Sequence, residues 1–508
     1  MRMKKTLNSI LTLLLAALPL VSCGGDSDSD GGSNPGGNPG GKVIIPNRNL
    51  AFPGADGGAS TITGGAGGSV YTVTSLEDNG TAGTLRDALN HTGVKTIVFA
   101  VGGTIYLKSP LRITNGDVTI AGQTAPGGGI TIAQCPVLIT ASNVIIRYVR
   151  FRLGDIGLDK SDETKDLFNA DDGDALGTNK CEKVMIDHCS VSWSTDECAS
   201  FKNTKNLTVQ YCIISESLKE SFHDKGNHGY GGIWGGSNAS YHHNLLANHD
   251  SRNPRFSHSY LEEASMRGPI DYVNNVVFNW GGNSTYGGES AVQNAVFHIN
   301  MIGNYYKPGL NTSAKTRLMQ LTTHCTNCVS NTGEAYPAKI YLEGNYVNGV
   351  AANWDNVIMD GNAETRNKTD LKASAKLNSR WTSGLTALTF TESANDAYTT
   401  VLTYAGASKV RDVVDERIIL QVKNGTGALI NSQTEVGGYP TLEKGTALTD
   451  SDGDGIPDEW EKANGLEANN YSDGAKYSLT EKYSNLEVYL NELVTSTFPA
   501  GAGADKTR

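Results

Sequence analysis

Seven times between Ile145 and Val347 the chain repeats one short phrase: an apolar, strand-like run, a turn residue, then apolar residues again. The phrases read IIRYVRF, MIDHCSV, TVQYCII, SYHHNLL, DYVNNVV, NMIGNYY and YLEGNYV, with turn positions at Val149, Cys189, Cys212, Asn244, Asn275, Asn304 and Asn345. Successive turn positions lie 40, 23, 32, 31, 29 and 41 residues apart. A helical solenoid keeps a nearly fixed period, so this spread argues against one. Coils of parallel β-strands tolerate it, because only the short core strands must match from coil to coil while the loops between them vary. The four asparagines then stack at one corner, each side-chain amide satisfying a turn backbone group of the next coil. The predicted fold class is all-β, a parallel β-helix.

Stacked coils also accommodate 508 residues, which is long for one compact domain. The 59 glycines against 38% hydrophobic residues fit narrow strands joined by many tight turns. A net charge of −11 argues against nucleic acid as a partner, since phosphate binders are normally basic. The chain as a whole would also repel a polyanionic substrate, which therefore needs a local cationic cleft or a bridging metal. Screening over about 8–10 Å at physiological salt makes that local arrangement decisive.

The two ends differ from the middle. Arg2, Lys4 and Lys5 precede an apolar run from Ile10 to Leu20, shorter than the roughly 20 residues that span a bilayer. The run closes on Leu20-Val-Ser-Cys23, which resembles a bacterial lipobox with Cys23 as the lipidated first residue. The acidic, glycine-rich stretch that follows reads as a flexible tether and resembles the surface-export signal of Bacteroidetes lipoproteins. At the other end, Asp450 to Glu461 (DSDGDGIPDEWE) puts Asp450, Asp452, Asp454, Asp458 and Glu461 at loop positions 1, 3, 5, 9 and 12. Gly455 falls at position 6 and the Ile456 carbonyl at 7, which is the pattern of an EF-hand calcium loop. The expected organisation is a signal peptide over 1–22, a linker over 23–41, the β-helix over 42–445 and a calcium-binding helical module over 446–508. Cys189 and Cys212 read as small buried groups, and Cys325 and Cys328 as a loop disulfide or inert thiols.

Within the coils, a helix near Thr84–Leu89 is expected to cap the first strand edge, and strands are expected at Val70–Val73, Thr96–Val101, Val118–Ala121 and Ile130–Ala133. Helices over Tyr398–Ala405 and Lys409–Lys423 should pack back along the coils, and one over Asn485–Leu493 should complete the C-terminal module.

Charged residues gather in the segments between repeats: DDGDA from Asp171, IDHCSVSWSTDECASF from Ile186, Leu218-Lys219, and YHHNLLANHDSRNPRF from Tyr241. In the last of these, Arg252 and Arg255 flank Pro254 and form a cationic fork suited to carboxylates. Acids and cations on one scaffold suggest a metal ion shared with an anionic substrate. His223, His228, His242, His243 and His249 could suggest a further metal cluster, but strand alternation sends His242 and His243 to opposite faces.

With AGQTAPGGGITI from Ala121, WSTDE, HGYGGIWGG and HHNLLANHDSRNPR in this order, the chain from about Ala51 to about Pro440 resembles the pectate lyase family of polysaccharide lyases. The resemblance implies a right-handed parallel β-helix that cleaves polygalacturonate (pectate or pectin) by calcium-assisted β-elimination. It also implies calcium-binding positions at Asp172, Asp174 and Asp196, a catalytic Arg252, and substrate contacts at Lys219, Lys202 and, near a family position, Arg255. The fourth calcium position, commonly Asp, falls on Ser200, which leaves open whether calcium binds firmly without substrate or whether Glu197 replaces the missing carboxylate. Arginine as a base comes from the resemblance alone, since its pKa of about 12.5–13.8 leaves almost none neutral. The alternatives are a calcium-independent pectin lyase, against which Asp172, Asp174 and Asp196 argue, a polygalacturonase-type hydrolase, whose NTD and RIK segments are missing, and a non-catalytic glycan-binding β-helix. The expected setting is extracellular: a monomeric outer-membrane lipoprotein at the cell surface, held to the membrane only by its lipid.

Overall fold

Short strands stack coil on coil into three sheets in the computed structural model, which describes residues 50–324, 334–361 and 367–503. One ten-stranded sheet runs from Ser69–Val73 to Lys339–Glu343. A nine-stranded sheet runs from Leu111–Ile113 to Val357–Met359, and a second ten-stranded sheet from Gly103–Tyr106 to Val350–Ala351. Neighbouring strands are parallel except at the last hairpin, Tyr346–Val347 with Val350–Ala351. The inward side chains of all three sheets form one continuous apolar core, and the helix Leu85–Asn90 closes its first end with Leu85, Ala88 and Leu89. The Thr84 side chain caps that helix by accepting from the Asp87 N–H. The nine-stranded sheet continues one strand beyond the point where the repeat fades after Ala351.

The ladder register is the one read from the repeat. Ser190 pairs with Arg150 and Ile213, Ile213 with Leu245, Leu245 with Val276, Val276 with Tyr305, and Tyr305 with Tyr346. The seven turn positions that precede these residues therefore stand in one column. The asparagine bonds run toward the preceding coil rather than the next. Asn244, Asn275, Asn304 and Asn345 Oδ1 accept from the N–H of Cys212, Asn244, Asn275 and Asn304, at 2.9–3.0 Å. Their Nδ2 groups donate to the carbonyls of Val209, Tyr241, Tyr272 and Met301.

The residue before each ladder position adopts a left-handed backbone: Tyr148, His188, Tyr211, His243, Asn274, Gly303 and Gly344. Asparagine and glycine tolerate this conformation readily. Where the residue is aromatic, the rings of successive coils stack. Tyr148, His188, Tyr211 and His243 follow one another at 4.8–4.9 Å, close to the inter-strand spacing. This turn also breaks strand alternation at His243. The two histidines expected on opposite faces instead meet, Nδ1 to Nδ1, at 2.9 Å.

Outside the coils, the helices Ala394–Tyr404 and Val413–Asn424 bury Val401, Leu402, Ile418, Ile419 and Val422 against Ile213, Leu245, Ala247, Val276 and Phe278. The second helix starts at Val413 rather than Lys409 because Asp412 caps it, accepting from the Val414 and Asp415 N–H groups. Buried Arg152 holds both Asp412 and Asp415. The segment beyond 446 packs on the outer face of the first coils, with Ile456, Leu486, Tyr489 and Leu490 on Val98 and Ala121. Its helix Asn485–Glu492 ends one residue short of the expected limit. All described residues belong to one compact unit, Gly40–Arg508.

Candidate active site

Where strands of the nine-stranded sheet begin, polar and charged side chains occupy the residues just before successive strands. Asp174 precedes Leu176–Thr178, Asp196 and Glu197 precede Ala199–Phe201, Tyr230 precedes Ile233–Trp234, and Arg252 precedes Arg255–Phe256. Leu176 pairs with Ala199, and single bridges join Glu197 to Tyr230 and Tyr230 to Ser251. Residues far apart in sequence thus stand on consecutive coils, about 4.8 Å apart in the stacking direction.

Asp174, Asp196 and Glu197 offer carboxylate oxygens that all lie within 4.8 Å of one another. The three residues are 6%, 3% and 2% exposed. Asp196 Oδ1 has no hydrogen-bond partner, Glu197 Oε1 is met by the Arg252 guanidinium, and Asp174 Oδ1 accepts from the Glu197 N–H at 3.3 Å. Burial pushes the Asp174 carboxyl up to about 7, against the opposing pull of Lys202. Burial also raises Asp196, against Arg252 and His228. Three buried carboxylates this close together are costly unless cations share them, and hard oxygen donors suit calcium. Asp172 stands at the rim, exposed, 3.6 Å from Lys225 Nζ. Ser200 does not join the set: it is fully buried and its hydroxyl accepts from the Ile233 N–H at 3.1 Å.

The cations face this cluster. Lys202 Nζ is 3.9 Å from Asp174 Oδ2, and Lys219 Nζ is 3.3 Å from Asp250 Oδ1. Arg252 contacts Glu197, lies 3.9 Å from Asp196 Oδ1, and sits 4.2 Å above the Tyr230 ring. Arg252 and Arg255 do not act as one fork. Arg252 is in the turn, with φ 57, while Arg255 opens a strand and pairs with buried Glu289 over the Tyr286 ring. Each arginine has its own glutamate and its own tyrosine. Tyr230, Asp250 and Glu289 were missed in the sequence because each acts through a partner on another coil.

The histidines separate into groups. His223 and His228 stand beside Asp196, His243 reaches Glu392, and His249 accepts from or donates to the Ser217 hydroxyl.

At the C-terminal segment, Asp450, Asp452 and Asp454 form one set of close carboxylates and Asp454, Glu461 and Asp473 a second. Asp452 Oδ2, Asp454 Oδ2, both Glu461 oxygens and Asp473 Oδ1 are buried without partners, again an arrangement that fits a hard cation. Burial pushes Asp454 up to about 8 and Glu461 up to about 7. Asp458 turns away from both sets. Its carboxylate accepts from the Ser451 N–H and hydroxyl and lies 3.7 Å from Lys462 Nζ. Ile456 is buried in the apolar contact with the first coils. Cys23, Cys325 and Cys328 lie outside the described residues.

No family model matches the chain. The protein named "Probable pectate lyase C" from Aspergillus fumigatus is 37% identical over 457 residues, covering 88% of this chain and 95% of that one. Its namesake from Aspergillus oryzae is 34% identical over 466 residues, with the same coverage of 88% and 95%. A solved structure described as a pectate lyase bound to hexasaccharide aligns with a TM-score of 0.45 and 18% identity, over 71% of this chain and 98% of that one. On the identity to the fungal proteins over nearly their full length, the chain belongs to the pectate lyase family of polysaccharide lyases.

Proposed function

We propose that the chain cleaves polygalacturonate by calcium-assisted β-elimination. The observation that carries this reading is the meeting of three buried, mutually close carboxylates, with Asp196 Oδ1 among them lacking a hydrogen-bond partner, and a row of cations at the same strand ends. The acids alone would repel a uronate chain, and the cations alone give no reason to bury three carboxylates. A divalent ion and a substrate carboxylate together satisfy both.

Asp174, Asp196 and Glu197 are the residues that would hold the ion, with Asp172 at the rim. When bound there, calcium supplies positive charge beside the uronate carboxylate and eases loss of the neighbouring proton. Lys219 and Lys202 bind and orient substrate carboxylates. Arg252, having first given its own proton to solvent, takes the proton from C5; the electron pair left behind forms the C4–C5 double bond, the C4–O4 bond breaks, and O4 leaves with the departing chain and gains a proton. Arg255 is held by Glu289, so we assign it to shaping the cleft beside Arg252 rather than to a direct substrate contact.

At the C-terminal segment, Asp450, Asp452, Asp454 and Glu461 with the Ile456 carbonyl, and with Asp473 in place of Asp458, would hold a second calcium and so fasten this segment on the first coils. The lipobox-like motif at Cys23 supports a surface-exposed outer-membrane lipoprotein whose tether leaves the cleft free for an extracellular polysaccharide. Product masses test the reaction class. Elimination gives oligomers one water lighter than hydrolytic oligomers of the same length, and a digest containing only the heavier series overturns the proposal.

A further inference from the structure

His223 and His228 stand beside the carboxylate set, and the elimination above does not use them. Their rings are 4.2 Å apart, and with Asp196 they present ligand atoms that all lie within 4.8 Å of one another. His228 Nε2 is 3.6 Å from Asp196 Oδ1, and His223 Nε2 is 3.7 Å from Asp196 Oδ2.

Hydrogen bonds on the far side of each ring fix the tautomers. The Gly226 carbonyl can only accept, so His228 Nδ1 donates to it, at 2.8 Å. Neutral His228 therefore turns a bare lone pair on Nε2 toward Asp196. The Lys225 N–H donates to His223 Nδ1 at 3.1 Å, so neutral His223 carries its proton on Nε2. Asp196 is 3% exposed, and its Oδ1 has no hydrogen-bond partner. With His228 neutral, a nitrogen lone pair and a carboxylate oxygen thus face each other, both of them acceptors. Their separation exceeds hydrogen-bond length. It is close to the roughly 3.3 Å between two tetrahedral ligands that each lie about 2.0–2.1 Å from one ion.

We propose that Asp196 Oδ1 and His228 Nε2 are the core of a second cation site in the cleft, one that takes a divalent ion of the zinc, cobalt or nickel kind. Imidazole nitrogen suits these ions, whereas calcium takes oxygen. His223, its Nε2 3.7 Å from the other Asp196 oxygen, flanks the carboxylate. The Tyr230 ring, 4.8 Å from that of His228, walls the site. Two positive groups limit the affinity: Arg252, 3.9 Å from the same Asp196 oxygen, and Lys225, which pairs with Asp172. Because Asp196 also belongs to the oxygen-only set, an ion held by His228 opposes calcium in the cleft. The site is read from geometry and stands whichever reaction the cleft performs.

The test uses the full chain, stripped of metal and titrated with Co²⁺ alone. Stoichiometric binding with the visible absorption of a nitrogen-ligated, low-coordinate cobalt ion is expected, and oxygen-only binding at the C-terminal loop does not produce that spectrum. His228→Gln should lower cobalt affinity by at least about tenfold and remove the band, since it loses a ligand where loss of an outer partner alone costs about 10–100-fold. Unchanged affinity and spectrum in a folded His228→Gln protein, or no such band in the parent, overturns the proposal. If His228→Gln does not fold, X-ray absorption of the zinc-loaded parent decides. A nitrogen shell at about 2.0–2.1 Å supports the site, and an oxygen-only shell overturns it.

Discussion

Asn275 offers the sharpest test of how the coils are held. Its side chain is fully buried. Oδ1 accepts from the Asn244 N–H at 3.0 Å, and Nδ2 donates to the Tyr241 carbonyl at 2.8 Å. Asn275→Ala leaves the Asn244 N–H buried without a partner and removes one of the two donors to the Tyr241 carbonyl, which keeps its ladder bond to the neighbouring strand. At about 1–3 kcal/mol for the orphaned N–H and about 0.5–1.5 kcal/mol for the lost bond to the carbonyl, the loss is roughly 1.5–4.5 kcal/mol. The protein itself supplies the graded control. Cys189 and Cys212 occupy the same column, and their thiols donate to the Ile146 and Ile186 carbonyls at 3.7 Å, the equivalents of the Tyr241 carbonyl. Asn275→Cys should therefore keep a weak donor, orphan only the Asn244 N–H and cost roughly 1–3 kcal/mol. Denaturant midpoints and hydrogen exchange over residues 240–246 should rank the parent above Cys and Cys above Ala. An Ala variant within about 1 kcal/mol of the parent, or a Cys variant no better than Ala, would refute the ladder argument.

Other outcomes follow from the site. Arg252→Lys keeps the charge but loses the planar contact over Tyr230 and with Glu197, and should lower kcat by about 10²–10⁴-fold in a folded protein, measured on polygalacturonate. Asp454→Ala should speed proteolysis beyond about Thr446 while sparing turnover; losing an ion present at 100 times its Kd costs about 2.7 kcal/mol. Asp174→Ala should do the reverse, raising the calcium needed for turnover while proteolysis stays unchanged. Cys23→Ala should move the protein from the membrane to the soluble fraction, and a variant still membrane-bound would end the lipoprotein reading. Asp187→Asn should cost about 3–5 kcal/mol, because it strips a buried partner from both Arg147 and His188. These two neighbours hold the Asp187 carboxyl down to about 2 despite its burial. Its contribution is therefore full above the unfolded carboxylate pKa of about 3.9 and fades as pH falls through about 2.

The fold was legible because the repeat phrases carry their own register: one ladder position per coil sets the pairing of all three strands. The left-handed residue before it was less legible, since Tyr, His, Asn and Gly share no chemistry at that position, only a backbone conformation. That is why His242 and His243 were assigned to opposite faces. At the site, Asp174, Asp196, Glu197, Lys202 and Arg252 come together because the coils stack, a proximity that linear spacing does not encode. Asp473 joins the C-terminal carboxylates from a loop outside the EF-hand pattern. Asp458 keeps its place in that pattern, yet Ser451 claims its carboxylate. Arg255 fits the cationic motif but pairs with Glu289, whose position depends on coils that follow it in the chain.

The central claim is that the acidic set and the cations at the strand ends perform a calcium-assisted elimination. Ultraviolet absorbance of a polygalacturonate digest, followed with calcium and after its removal, tests this directly. The account predicts a steady rise from the conjugated 4,5-unsaturated uronate that needs calcium and disappears in Arg252→Lys. New reducing ends without that chromophore, or a rise indifferent to calcium, would contradict it.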